Sequence, residues 1–334
     1  MDVGKRKIKV RFMDFWDGLD HENHLIMRAL RENYEVEIAD DADYVFCSQG
    51  GGYEHFDVPP HCVKIFYTGE NLFPDFNLVD YAFGFDWMNL GDRYMRLPNY
   101  YFSRPQQLRT QLVDTKHILP DGFSIEKDKP DFCSFVVSNG NGSPLRKEIF
   151  DLLSKYKKVN SGGRFLNNIG APCKDKMAFT SSHKFSIAFE NSKHPGYSTE
   201  KITEAFAART IPIYWGDPEI GRIFNKEAMI FVNDYPSLEA VVERVIALDN
   251  DDAAYLEILR KPAWVSEEYR LENYQEEVAA FLKHIIDQPI DQAYRYDRTW
   301  YGPIHQKVMR HWRNCSRMSF SAILREWVRY RFGK

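Results

Sequence analysis

Cysteine is scarce in this chain, and what there is does not pair. Its 334 residues include five cysteines, at positions 47, 62, 133, 173 and 315, with no Cys-x-x-Cys arrangement among them. An odd number at wide spacing excludes a disulfide framework and a zinc site, and a reducing, cytosolic compartment is the natural expectation. Long hydrophobic runs are missing too. None approaches the ~20 residues needed to cross a bilayer, and the opening MDVGKRKIKVRF lacks the apolar core of a secretory signal. Without such a signal, Asn141-Gly-Ser reads as a loop rather than a glycosylation site. No internal repeat and no low-complexity segment occurs, so neither a solenoid nor a disordered linker is indicated.

What is present is the balance of a soluble globular protein, with 44% hydrophobic and 28% charged residues and 15% aromatics. The length suits two domains of ordinary size. Charge is uneven. Residues 305–334 hold eight Lys or Arg against the single acid Glu326, so this tail carries +7 and the rest −11 within an overall −4. A basic end on an acidic body suggests an anionic partner; no nucleic-acid partner is expected.

Strand patterns recur along the chain. KIKVRFMDFW, YEVEIADDADYVFCSQGG, CVKIFYTGEN and DYAFGFDW supply an amino-terminal set, with Thr68, Gly69, Glu70 and Asn71 delivered at one strand end. Residues 99–131 carry Pro105, Pro120 and Pro130 and read as an irregular boundary. FCSFVVSNGNG then restarts the pattern. The helix SPLRKEIFDLLSKY follows, with Ser143 as N-cap, Pro144 at its first position, and Leu145, Ile149, Leu152, Leu153 and Tyr156 on its buried face. FSIAF and IPIYW are strands flanking the helix STEKITEAFAAR, where Ile202, Ala205, Phe206 and Arg209 recur at helical spacing. AMIFVND, SLEAVVERVIAL and DAAYLEILRK complete a strand and two helices. Such alternation predicts open α/β sheets whose ligands sit at the carboxyl ends of the strands.

The polar stretch ENSKHPGYSTEK sits at such an end. Lys201 falls in the first turn of its helix, against the helix dipole, which favours an anion nearby. Arg146 occupies the equivalent place in the preceding βα unit, so the two cations reinforce each other. Spacing alone leaves Glu200 open between a first-turn acid and a ribose ligand. Glu190 and Asn191, directly after a strand, are expected to satisfy loop backbone groups. Asp41-Ala-Asp43 has the Asp-x-Asp form of a metal site but reads as a loop.

FSIAFENSKHPGYSTEKITEAFAARTIPIYWGDPEI, together with FVVSNGNGSPLRKEIFDLL and FYTGENLFPDF, resembles the α-1,3-fucosyltransferases of glycosyltransferase family 10. The resemblance covers roughly residues 60–235 and is closest to the bacterial members, which share a basic amphipathic carboxyl end. It implies an α/β, GT-B architecture of two Rossmann-like domains facing across a cleft, with a helical C-terminal tail. The expected boundaries are an acceptor domain 1–130, a GDP-fucose domain 131–300 and a tail 301–334. By the same resemblance Arg146 and Lys201 hold the diphosphate, Glu200 meets the ribose, Asn191 and Tyr197 line the donor site, and Glu70 is the general base. Ser198 replaces a common valine, and KHPG replaces a loop often richer in glycine and tyrosine, so the donor loop should differ in detail.

The implied reaction is inverting transfer of L-fucose from GDP-fucose to a GlcNAc hydroxyl of an N-acetyllactosamine-type glycan, giving a Lewis X type product. No cofactor is required, and a divalent metal is at most stimulatory. From the residues alone Glu70 could equally cap the turn before NLFPD. Three rivals stand beside this reading: a transferase using another nucleotide sugar, a non-catalytic glycan-binding protein, and a glycoside hydrolase with Glu70 as one carboxylate. In the tail, Phe320, Ile323, Leu324, Trp327, Val328 and Tyr330 lie among basic residues. A helix of that kind either rests on an anionic membrane or packs on the protein body. The expected location is cytoplasmic, peripheral on the inner face of a bacterial membrane.

Overall fold

A computed structural model describes residues 4–317, so the part of the tail from Met318, including its six apolar residues named above, lies outside the described residues. The chain forms two compact units. The first takes the chain up to Gly84, then Met88–Met95 and the chain from Val278 onward; the second takes Phe85–Trp87 and Arg96–Glu277.

In the first unit the strands are β1 (Lys7–Met13), β2 (Glu35–Ile38), β3 (Tyr44–Cys47), β4 (Val63–Tyr67), β5 (Tyr81–Gly84) and β6 (Tyr94–Arg96), in the order β2-β1-β3-β4-β5-β6. The first five pair in parallel. Helix α1 (Leu25–Asn33) crosses between β1 and β2 with Leu25, Ile26, Met27, Ala29 and Leu30 buried, and the His24 ring accepts from Met27 N at 3.2 Å as its cap. β3 and β4 are buried along their whole length, as parallel strands covered on both faces should be.

The second unit opens with α2 (Arg104–Asp114) and α3 (Ile125–Asp128). It continues through β7 (Asp131–Phe135), α4 (Leu145–Ser154), β8 (Val159–Ser161), α5 (Lys176–Ser181), β9 (His183–Phe189), α6 (Glu200–Ala207), β10 (Ile211–Trp215), β11 (Ile230–Phe231), α7 (Leu238–Asp249) and α8 (Asp252–Leu259). Its all-parallel sheet runs β11-β10-β9-β7-β8. Phe135, Ile149, Leu153, Phe185, Ile187, Ile211, Ile213, Val241 and Val245 form the core between sheet and helices. α9 (Leu271–Ile286) and α10 (Tyr301–Ser316) follow.

The expected boundary at residue 130 moves to the 85–95 region. Residues 99–131 are not irregular: α2 buries Gln107, Thr110 and Val113 and packs on α6. Nor does the second unit run to residue 300. Asp80, just before β5, takes Arg298 at 2.7 and 2.8 Å and Arg295 N at 2.8 Å, which fastens the returning chain to the first unit. α10 belongs there too. Gln306 donates to Phe56 O at 2.6 Å and Arg313 to Asp57 at 2.5 Å, so the described part of the tail is packed.

Both sheets place their first strand between the second and the third. In a doubly wound sheet the crevice at that switch point, outside the carboxyl ends of the strands, is where a ligand has room. It falls at β1 and β3 in the first unit and at β7 and β9 in the second.

Candidate active site

The second switch point collects the cations. β9 ends at Phe189 and hands over to Glu190, which is fully buried. Its carboxylate accepts from Thr199 N at 2.7 Å and Thr199 Oγ1 at 2.6 Å, which fixes the start of α6. Glu190 therefore satisfies loop backbone as expected, but it does more. Lys201 Nζ lies 3.2 Å from its carboxylate, 3.3 Å from Glu200 and 2.8 Å from Thr199 Oγ1.

Arg146 reaches the same point from α4. The helix begins one residue later than expected, with Pro144 in the N-cap position, while Ser143 Oγ accepts from Leu145 N at 3.3 Å. Arg146 is 2% exposed, a face the apolar pattern assigned to leucines. Its Nε and Nη2 donate to Phe189 O at 3.2 and 2.9 Å, and Nη2 to Asn191 Oδ1 at 2.5 Å. Nη1 is buried with no hydrogen-bond partner among the described residues. Ser143 N donates to Asn191 O at 2.9 Å, so the loops after β7 and β9 are joined beside the guanidinium.

Electrostatics follow the pairing. Burial pushes the Lys201 ammonium down, but Glu190 and then Glu200 more than reverse this and hold it cationic. Burial pushes Glu200 up; Lys201 and then Lys176 overcome it and bring the carboxyl to about 2. Burial raises the Glu190 carboxyl against the pull of Lys201, and burial lowers Arg146. A buried guanidinium with an unused N–H, a clamped lysine and the first turn of α6 make a site whose donors suit an anion.

The loop before α6 is held from two directions. Asp217, fully buried after β10, accepts from Gly196 N at 2.8 Å and Ser198 Oγ at 3.0 Å. Burial raises its carboxyl. Ser198, the departure from the common valine, thus has a dedicated acceptor. From the other side, Arg96 Nη2 donates to Gly196 O at 3.2 Å and Arg96 Nε to Phe85 O at 2.8 Å. The Asp86 carboxylate meets His194 Nε2 at 2.6 Å. Gly196 has φ +81°, and a Cβ there would fall 2.5 Å from Phe85 O, so no other residue fits. Tyr197, 2% exposed, packs edge-on against Phe85 at 4.9 Å.

Arg146, Asn191, Glu200 and Lys201 are therefore brought together, with Tyr197 on the loop that leads into them. Glu70 stands in the first unit, exposed just beyond β4. Its turn is tied by Thr68, whose Oγ1 accepts from Glu70 N at 3.0 Å and donates to Glu70 O at 3.1 Å. Thr68, not the Glu70 carboxylate, does the capping. Sequence reasoning missed Asp217, Asp86 and Arg96, and missed the clamping of Lys201 by Glu190. The alternation Glu-Asn…Ser-Thr-Glu-Lys held a signal for the last, since a threonine N-cap leaves its own N–H to be met from elsewhere. Asp41 pairs with Lys9 in the loop between β2 and β3, as the loop reading anticipated.

Comparison with known proteins gives a consistent picture. Residues 10–103 match the family described as Alpha-(1,3)-fucosyltransferase FucT N-terminal domain, and residues 126–289 match Glycosyltransferase family 10 (fucosyltransferase) C-term. The chain is 30% identical over 318 residues to the Alpha-(1,3)-fucosyltransferase FucT of Helicobacter pylori, covering 84% of this chain and 66% of that protein. A 3-galactosyl-N-acetylglucosaminide 4-alpha-L-fucosyltransferase of Bos taurus is 33% identical over 135 residues, 40% of this chain and 36% of that protein. The chain thus spans just under two thirds of the first relative and about a third of the second. Among solved structures, an alpha1,3-fucosyltransferase with GDP-fucose superposes with a TM-score of 0.73 at 28% identity, covering 89% of this chain and 95% of that one. The same kind of enzyme with GDP gives 0.71 at 30%, covering 86% and 92%. The fold alone is shared with an Anabaena protein solved with UDP-glucose, at a TM-score of 0.53 and 10% identity over 83% of this chain and all of that one.

Proposed function

The chain belongs to glycosyltransferase family 10, the fucosyltransferases, with the α/β fold of GT-B type, and we propose on that premise that it moves L-fucose from GDP-fucose to a GlcNAc hydroxyl of a lactosamine-type glycan. The product is an α-1,3 linkage of Lewis X type, formed with inversion. One observation carries the reading: Arg146, buried and with Nη1 unpartnered, beside the clamped Lys201 at the second switch point. That is a seat for a diphosphate.

In the proposed step the acceptor oxygen attacks the anomeric carbon of fucose as the carbon–oxygen bond to the β-phosphate breaks. The electron pair of that bond leaves with GDP. Arg146, Lys201 and the first N–H groups of α6 meet the growing negative charge where it develops. Glu200 faces the ribose, and Asn191 and Tyr197 line the donor site. Glu70 takes the proton from the acceptor hydroxyl. Attack opposite the leaving group turns the β-linked donor into an α-linked product. These groups supply the positive charge themselves, so no cofactor is required, and a divalent ion is at most stimulatory.

We place the enzyme in the cytoplasm, resting peripherally on the inner face of a bacterial membrane through its C-terminal end. α10 supports this: Trp300, Ile304, Val308 and Trp312, every fourth residue, are exposed along one side, beside exposed Lys307.

The test is incubation with GDP-fucose and a panel of lactosamine acceptors, with product linkage and anomeric configuration read by NMR, and with EDTA in a parallel set. Expected is an α-linked fucosyl product that persists in EDTA. Because the fold itself is shared with a UDP-glucose protein, the donor choice is tested separately. Transfer from UDP-galactose at an equal rate, or release of free fucose from a fucosylated glycan without GDP, overturns the proposal.

A further inference from the structure

The KHPG stretch of the donor loop carries one titratable group to which fucosyl transfer gives no part. That group is His194. Its side chain is 41% exposed and stands at the head of the loop that leads through Gly196 and Tyr197 into Glu200 and Lys201. Nε2 meets Asp86 Oδ1 at 2.6 Å, and Asp86 lies in the short segment Phe85–Trp87 of the same unit. We propose that His194 is a positioning residue for the donor: its imidazolium latches the loop to Asp86, and loss of that charge loosens the loop and weakens the hold on the donor diphosphate.

The latch acts on the donor-lining part of the loop through few atoms. His194 O accepts from Tyr197 N at 3.1 Å, so the two residues are the ends of one tight turn. The Phe85 ring lies edge-on to His194 at 5.6 Å and to Tyr197 at 4.9 Å. Between those residues, a Cβ on Gly196 would fall 2.5 Å from Phe85 O and 3.3 Å from Trp87 Cδ1. Trp87 is itself held, with the Arg96 guanidinium 3.9 Å and that of Arg222 3.8 Å from its ring. Asp86 is therefore carried between two anchored aromatic residues, and it serves as a fixed post.

Other charged groups surround the loop. Arg96 and Asp217 grip Gly196 at its O and its N. Lys193, exposed, precedes His194, and Arg222 pairs with Glu219 at 2.8 Å beyond Trp87. Histidine differs from all of these in changing charge between about pH 5 and 8. A charged ring donates to a carboxylate about twice as strongly as a neutral one. A pair this exposed adds little to overall stability, which suits a latch that holds a loop without holding the fold. At the acidic end of the range the ring is charged and the donor is held most tightly; toward the alkaline end the charge is gone and donor KM is higher.

The proposal rests on the fucosyl-transfer reading, and two measurements on the full-length protein separate them. The first is GDP-fucose KM at saturating acceptor across about pH 5.5 to 8.5, with a donor whose diphosphate, esterified at both ends, keeps its charge throughout. The second needs no turnover. Amide hydrogen exchange of residues 194–199 is recorded in the ligand-free protein as the ratio of His194→Gln to wild type, so that the intrinsic pH dependence of exchange cancels. Wild-type donor KM should rise about three- to fivefold from the acidic to the alkaline end. His194→Gln, which keeps an N–H donor but no charge, and Asp86→Asn should each hold donor KM nearly flat at the wild type's alkaline value, with acceptor KM within twofold of wild type. The exchange ratio should be about three to five at the acidic end and approach one at the alkaline end. If wild type moves no fucose yet the exchange ratio falls with pH in this way, the latch stands and the transfer reading falls. If fucose is moved but the ratio stays at one, or His194→Gln keeps the wild-type slope of donor KM, or acceptor KM shifts as much as donor KM, the latch is overturned.

Discussion

In Lys201 a proposed binding role and a structural role are joined. Its ammonium balances Glu190, a fully buried carboxylate, while facing the proposed diphosphate. Lys201→Ala should weaken GDP binding by about 1.5–3 kcal/mol, the range for hydrogen bonds to charged groups, as read by calorimetry. It should also strand Glu190 in the interior. Burial already raises that carboxyl, and the lysine is the largest pull against the rise, ahead of the two hydrogen bonds from Thr199. A group whose folded value lies above its unfolded one favours the folded state at low pH and loses that contribution as pH rises through the folded value. The melting-temperature deficit of Lys201→Ala should therefore be largest near pH 7 and shrink toward pH 5; a pH-independent deficit would contradict the clamp. Arg146→Ala should lose GDP affinity in the same range with a weaker pH signature, because its hydrogen-bond partners are the Phe189 carbonyl and the Asn191 side chain, and Glu190 acts on it only through space. Glu70 behaves oppositely. Thr68 ties its turn and its carboxylate is exposed, so Glu70→Gln should leave melting temperature and GDP affinity unchanged while turnover with saturating acceptor falls about 10²–10⁴-fold. Turnover within a few-fold of wild type would remove Glu70 from the role of base.

The elements were legible in proportion to how local their causes are. Strand runs such as FSIAF and IPIYW, and the helices α4, α6, α7 and α8, follow from apolar spacing and lie where that spacing puts them. α2 did not, because Pro105 looks like a breaker. It sits in the helix's first turn, where its missing N–H has no partner to lose, and Gln106 Oε1 takes Ser103 N at 3.0 Å in its place. Arg209 fits the helical period of α6 but lies beyond its end, at φ +50°. The candidate site divides the same way. Arg146, Asn191, Tyr197, Glu200 and Lys201 were named through a resemblance carried by contiguous motifs. The supports of their loop were not, since the Asp217–Gly196, Arg96–Gly196 and Asp86–His194 pairs span 21, 100 and 108 residues. No local pattern encodes such a pair. Those supports define an element-scale prediction. Asp217 accepts Gly196 N, Ser198 Oγ and Glu219 N, and Asp217→Ala leaves all three without their acceptor. Stability should fall by about 1–3 kcal/mol for the stranded groups, and GDP-fucose KM should rise more than acceptor KM. Asp217→Asn, which keeps one carbonyl oxygen for the Gly196 and Glu219 N–H groups, should recover much of both. Equal effects on the two substrates would mean that Asp217 supports the unit as a whole and not the donor loop.

Over the whole chain, charge and apolar surface point the same way. The last thirty residues hold +7 against −11 for the rest, but the described part of this basic end is not simply solvated. Arg313 and Arg310 pair with Asp57, and Arg317 reaches Gly52 O at 2.6 Å. α10 thus turns its polar, buried side, with Gln306 and Arg313, to the first unit, where the half-exposed Trp312 also meets Tyr53 edge-on at 5.4 Å, and keeps Trp300 (74% exposed), Ile304 and Val308 on the other. A soluble surface has little reason to set a tryptophan and two aliphatics in one row. Aromatic and aliphatic side chains in such a row, with lysine beside them and a strongly basic segment following, are what the proposed contact with an anionic bilayer surface requires. No helix among the described residues is long and apolar enough to cross a membrane. The full chain should sediment with phosphatidylserine-containing vesicles, less so as salt rises, and weakly with neutral ones. Replacing Trp300, Ile304 and Val308 together by glutamine should release it from vesicles while leaving melting temperature and transfer to a soluble acceptor unchanged, because all three side chains are exposed. Deleting residues from 318 onward, which removes Arg325, Arg329, Arg331 and Lys334 together with Phe320, Ile323, Leu324, Trp327, Val328 and Tyr330, should weaken both the salt-sensitive and the apolar part. Equal sedimentation of the triple variant and the wild type would show that the exposed row of α10 makes no contact with lipid.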